Sequence, residues 1–193
     1  MKKYIILLSA FLILNNCQKN ISEDLHAQNQ IVDTNKVVEP LDFYPEINKM
    51  VTTILSRYHY KKFDLDDSLS SVVFNNYINS LDYNKSYFLK SDLDNFEKYK
   101  FALDENLHLG NLLPAYEIFN VYKTRMNERM KYVLGRLNKE FDFTKNETFI
   151  IDREKESWAI NNDELDEIWR QKLKNEALNL KLSGKEWEKS KET

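Results

Sequence analysis

Ser68-Leu69-Ser70-Ser71-Val72-Val73-Phe74, Tyr77-Ile78-Asn79-Ser80-Leu81-Asp82, Asn84-Lys85-Ser86-Tyr87-Phe88-Leu89 and Ser91-Asp92-Leu93-Asp94-Asn95-Phe96 together decide how the chain folds. Leu69, Val72, Val73 and Leu81 recur at helical spacing and predict a helix with an apolar stripe. Asp82-Tyr83-Asn84-Lys85-Ser86 breaks that helix. Ser91, followed three residues on by Asp94 and then Phe96, fits a capping box that starts the next one. Tyr87, Phe88 and Leu89 therefore fall in a connection. Three bulky apolar residues in a connection must pack down between the two helices, which makes the turn a structural knot.

Working outward, the same pattern continues. Pro45 suits a first helical turn, and Ile47, Met50, Val51, Ile54, Leu55 and Tyr58 repeat every 3.6 residues, predicting a helix over 45–60. Asp66 is placed to cap the helix of the opening stretch. A third helix is predicted over 92–107 on Leu93, Phe96, Leu103 and Leu107, ended near Gly110, and Pro114 opens the fourth and longest. Ile118, Phe119, Tyr122, Met126, Met130, Val133, Leu134 and Leu137 form its stripe, with Lys123, Arg125, Glu128, Arg129 and Lys131 assigned to a solvated face. The period lapses near 141–158, where Phe149-Ile150-Ile151 allows a short strand or an irregular crossing anchored by Trp158. A fifth helix starts near Asp163, carries Leu165, Ile168, Trp169, Leu173, Ala177 and Leu180 on one face, and has Gly184 as its stop. The expected fold is all-α, a multi-helix domain of about five helices.

Composition agrees. Three glycines and three prolines in 193 residues are too few for a sheet-rich fold, which needs glycine at tight turns and bulges. The formal charge of -3, with Lys98 and Lys100 alternating with Glu97 and Glu105, excludes the concentrated basic surface of a nucleic-acid binder.

The first residues read as a targeting segment. Met1-Lys2-Lys3 is positive, Tyr4 to Leu14 is an apolar run too short to span a bilayer comfortably, and Cys17, the only cysteine, follows. The arrangement resembles a bacterial lipoprotein signal whose cysteine is acylated, although Asn16 stands where Gly, Ala or Ser is usual. The alternative is a plain secretory signal with Cys17 incidental. Residues 1–17 are thus expected to be a signal peptide, 18–40 a polar tether, 41–185 the folded domain and 186–193 the start of a linker.

Asp82-x-Asn84-x-Ser86 opens like a calcium loop, but Tyr87 stands where glycine is needed and Leu93 where a bidentate glutamate belongs. An ordinary turn, in which Asp82 or Asn84 bonds nearby backbone, explains it. His26, His59 and His108 share no ligand spacing. Lys85-Ser86 and Lys90-Ser91 sit in a polar turn where lysine stays charged, with no nucleophile elbow beside them. Asp66-Asp67 and Asp163-Glu164 are explained by helix starts. No catalytic residue, metal ligand or cofactor site is assigned.

The motif Leu81-Asp82-x-Asn84-Lys85-x-Tyr87-Phe88-Leu89-x-Ser91-Asp92-Leu93-Asp94-x-Phe96 does carry a resemblance, with His59-Tyr60-Lys61-Lys62 and Leu65-Asp66-Asp67-x-Leu69-Ser70 before it. Asp152-Arg153-Glu154-Lys155 with Trp158 follows in the same order. The chain resembles the N-terminal helical domain of tail-specific (C-terminal processing) serine proteases, from about Phe43 to Lys185. The resemblance implies a non-catalytic part of a periplasmic, lipid-anchored protease whose PDZ-like module and Ser/Lys protease domain lie beyond this stretch. It implies as partners those domains, protein substrates with apolar C-termini, an envelope adaptor and the membrane. The competing reading is a stand-alone helical lipoprotein that binds a partner protein.

Overall fold

The computed structural model describes residues 36–61 and 64–184. The readings at residues 1–17 with Cys17, most of the 18–40 tether with His26, and the 186–193 linker lie outside the described residues. Among the described residues six α-helices follow one another: α1 (Tyr44–Tyr58), α2 (Asp67–Asp82), α3 (Lys90–Phe96), α4 (Leu103–Leu109), α5 (Leu113–Leu137) and α6 (Asn162–Leu182). A 3-10 turn, Glu97–Tyr99, follows α3. The all-α expectation holds, with no strand among the described residues.

Local chemistry sets most boundaries. Asp66 accepts the Leu69 amide at 2.9 Å and caps α2 as expected. Pro114 lies in the first turn of α5, Gly110 ends α4 at φ 73°, and Gly184 follows α6 at φ 78°. At α6, Asn161 accepts from Glu164 N at 3.0 Å while Glu164 accepts from Ile160 N at 2.9 Å, so the Asp163-Glu164 pair does helix-start work. At α3 the cap is shifted from Ser91 to Leu89: the Asp92 carboxylate reaches back to the Leu89 amide at 2.9 Å.

The predicted third helix over 92–107 is two helices, α3 and α4, and its interruption has a partner distant in sequence. Ser70, on α2 and only 2% exposed, donates its hydroxyl to Lys100 O at 2.9 Å and accepts from Leu103 N at 2.9 Å. One side chain satisfies both backbone groups freed by the break.

The core gathers Phe74 and Ile78 of α2, Phe88 of the turn, Phe96 of α3 and Ile118 of α5, with Tyr77, Leu81, Leu93, Tyr122 and Trp158 against them. The buried edge of α2 is therefore Ser70, Phe74, Ile78 and Asp82, whereas Val72 and Val73 of the predicted stripe are 50% and 37% exposed. On α5 the correction is larger. Met126, Met130 and Leu134 are exposed, and Arg129, expected on the solvated face, is 5% exposed. Its Nη1 bonds Asp166 on α6, so α5 and α6 meet through an ion pair whose arginine is buried and whose carboxylate is partly exposed.

Residues 141–158 are irregular; Phe149-Ile150-Ile151 forms no strand. The crossing returns to the core at Trp158, and Lys90 N bonds Ala159 O at 2.8 Å within an isolated parallel bridge between Leu89 and Ala159. Glu147 ties the crossing to α6, accepting from Lys174 at 2.7 Å and from Arg170 at 3.1 Å. The Lys174 and Arg170 hydrogen bonds lower the Glu147 pKa. A carboxylate with a lowered folded-state pKa stabilises above its unfolded pKa and loses that contribution as pH falls through the folded one. The protection factors of amides in 141–158, exchange rates taken relative to the unfolded chain at the same pH, are therefore expected to fall below about pH 4. Glu147→Gln should remove that pH step; an unchanged exchange profile would show that Glu147 does not hold the crossing.

Helix α1 departs furthest from expectation. Its inward side is Pro45, Asn48, Lys49, Thr52 and Ser56, with Thr52 the buried residue. Asn48 Nδ2 donates to Leu107 O of α4 at 2.7 Å. Gly110 admits the helix closely, since a Cβ there would lie 2.7 Å from Pro45 O. The regular apolar stripe, Ile47, Met50, Val51, Ile54, Leu55 and Tyr58, points outward at 43–77% exposure.

Candidate functional site

The most highly organised place in the structure is the turn between α2 and α3. Asp82 ends α2 at 3% exposure, and its carboxylate accepts the next connection's backbone: Ser86 N at 2.8 Å on one oxygen, Tyr87 N and Phe88 N at 2.9 Å each on the other. Three successive amides are thereby satisfied by one charge. Lys85, just before them, adopts a left-handed φ of 49°, and its Nζ donates to Glu156 O of the crossing at 2.6 Å.

With the backbone wrapped around Asp82, Phe88 is driven inward to 0% exposure. Its ring lies 5.6 Å from Phe96, 5.8 Å from Tyr122 and 6.2 Å from Trp158. Tyr87 stacks edge-on to Tyr122 at 5.3 Å and Trp169 at 5.4 Å, and burial raises the pKa of both tyrosines. Trp169 Nε1 donates to Ser86 O at 2.6 Å, fastening α6 to the turn. Arg125 of α5 grips the Asp92 carboxylate with Nε at 2.8 Å and Nη2 at 2.9 Å, a bidentate pair that raises the arginine pKa further. The helices α2, α3, α5 and α6 all converge on these few residues.

The geometry is that of a clamp, with no reacting group left over. Both Asp82 oxygens accept from backbone N–H groups, as an ordinary turn requires. The described residues contain no group of three or more His, Cys, Asp or Glu side chains able to hold a metal. Ser86 is buried 3.5 Å from an Asp82 oxygen, while Lys85 points to the crossing, so they form no nucleophile and base pair. Exposed His108 and the helix-end His59 are not brought together with another ligand. A cleft of about 370 Å³ between α5 and the α3 region is lined by Val37, Phe96, Tyr99 and Val121 with Asp92 and Glu117. Its acids are engaged by Arg125 and by Tyr99 with Lys98.

Two comparisons bear on this clamp. The family model described as the tail specific protease N-terminal domain matches residues 50–193, a span that contains every residue of it. The chain belongs to that family. Over 144 residues it is 40% identical to the tail-specific protease of Haemophilus influenzae, covering 74% of this chain and 21% of the relative. It thus spans about a fifth of that protein's length. In this tail-specific protease N-terminal domain, the Leu81 to Phe96 motif that carried the sequence resemblance is the Asp82 clamp itself. Trp169 and Arg125, which complete it, sit in helices whose sequence marks them only as amphipathic; no local signal singles them out.

Proposed function

We propose that the chain is the non-catalytic N-terminal part of a longer, periplasmic, lipid-anchored tail-specific protease that acts on envelope proteins from their C-termini. The 40% identity over 144 residues to a tail-specific protease carries the reading. The protein's own geometry supports a scaffolding role, since its best-organised residues are spent on tying helices together. Its role is to present a rigid helical body to PDZ-like and protease domains beyond this stretch, around a polypeptide substrate with an apolar C-terminus. The division at 41–185, the tether and the linker belong to the same proposal.

The 193-residue chain alone is expected to leave unfolded reporters with apolar C-termini uncut. A fusion in which it replaces the matched segment of the Haemophilus influenzae protease is expected to cut them. Cleavage by the isolated chain that disappears in Ser86→Ala would overturn the non-catalytic assignment, and a fusion unaffected by deleting the whole domain would favour a stand-alone binding protein.

Anchoring rests on Cys17 and the apolar run, Tyr4 to Leu14, shortly before it. Among the described residues no helix is long and apolar enough to cross a membrane. The expressed protein is expected to partition into detergent and Cys17→Ser to release it; unchanged partitioning would remove the lipid from the proposal.

A further inference from the structure

The orientation of α1 poses a physical problem. Its polar side, Asn48, Lys49, Thr52 and Ser56, is turned to α4, and its uncharged apolar side is turned to water. An amphipathic helix packed only for its own domain would be rotated by half a turn, because six large side chains on the solvent side forfeit the burial their spacing offers. A contiguous apolar stripe of this kind marks a surface that something covers.

We propose that this face, Ile47, Met50, Val51, Ile54, Leu55 and Tyr58, is the seat on which the polypeptide that follows the N-terminal domain docks in the longer protease. The inference rests on the reading of the chain as such a domain, and adds the surface through which it is held. Two observations select this occupant. First, the family match is to an N-terminal domain, and the stretch aligned with the relative covers 21% of it, so about four fifths of that protein is available to supply the covering.

Second, the patch has the wrong size for a free partner. Fifteen helical residues extend roughly 22 Å, and a face about 10 Å wide presents a few hundred Å². A stable dimer of separate chains needs roughly 800 Å² on each side. A covalently attached partner does not, because tethering supplies an effective concentration in the millimolar range. A lipid surface fits less well: Glu46, ion-paired with Lys49, brings an acidic group to one end of the helix, so only the other end, at Arg57 and Lys61, is basic.

The test uses the 193-residue chain and its fusion to the Haemophilus influenzae protease in place of the matched segment. Ile54→Glu places a charge in the middle of the stripe, and Ile151→Glu, on the exposed crossing, is the control. In the isolated chain, Ile54→Glu is expected to keep the helical circular dichroism and the melting temperature while lowering binding of an apolar dye more than Ile151→Glu does. In the fusion it should free the domain and raise the rate of tryptic cleavage at the junction roughly tenfold, with Ile151→Glu at the wild-type rate. Equal cleavage of wild type and Ile54→Glu in an active fusion would overturn the docking face alone. So would an isolated chain that sediments as a dimer broken by Ile54→Glu, or one that floats with phosphatidylglycerol vesicles through that residue. A wild-type fusion that neither cuts nor protects its junction would take down the domain reading and the docking face together.

Discussion

Replacing Phe88 with alanine is expected to destabilise the domain by about 3–5 kcal/mol, the range for truncating a fully buried aromatic. Phe88 has 0% exposure and three aromatic neighbours contributed by α3, α5 and the end of the crossing. The cavity therefore opens where three elements meet, and it cannot close by moving one of them alone. Urea unfolding of the 193-residue chain measures it, with Val72→Ala on the exposed side of α2 as the reference. A loss within about 1 kcal/mol of that reference would show that the aromatic cluster relaxes freely and that the clamp does not depend on it.

Asp82→Ala is expected to rival it. Taken as an ordinary turn residue, Asp82 would cost about 1 kcal/mol, the worth of a typical hydrogen bond. The structure raises the expectation to about 3 kcal/mol or more, because one buried carboxylate serves three backbone donors and its removal strands them. Asp82→Asn keeps an oxygen acceptor without the charge, and should fall between the two. Added calcium should not change any of these melts, since both Asp82 oxygens are already committed. Calcium-dependent melting lost in Asp82→Ala would mean that the turn binds a cation.

The two variants probe the part of the fold that was most legible. Helix-breaking residues at 82–86, apolar residues at 87–89 and an acidic residue after them are local features, and bonds from Asp82 to residues 86–88 reach no further than the turn itself. The misreadings have another origin. Ser70 interrupts the third helix from 30 residues away, and nothing between Lys100 and Leu103 announces it. Arg129 looks like a surface residue until Asp166 arrives from α6. Periodicity reports which side of a helix is apolar; it does not report whether the apolar side has a partner within the same domain. That distinction reversed α1, whose spacing was read correctly and whose outward orientation was not foreseen.

The residues leading into α1 have a mechanical consequence. Val38 exchanges two hydrogen bonds with the Asn120 side chain, N–H to Oδ1 and carbonyl from Nδ2, each at 2.8 Å, and Lys123 donates to Lys36 O. A pull applied to the chain ahead of residue 36 meets this amide pair before it reaches Tyr44. The load passes as shear into α5, the longest helix among the described residues, at positions roughly half a turn to two and a half turns from its grips on Asp92 and Asp166. Helix α1 is left outside the line of force, so tension on the leading strand can be borne without rotating the apolar face it carries.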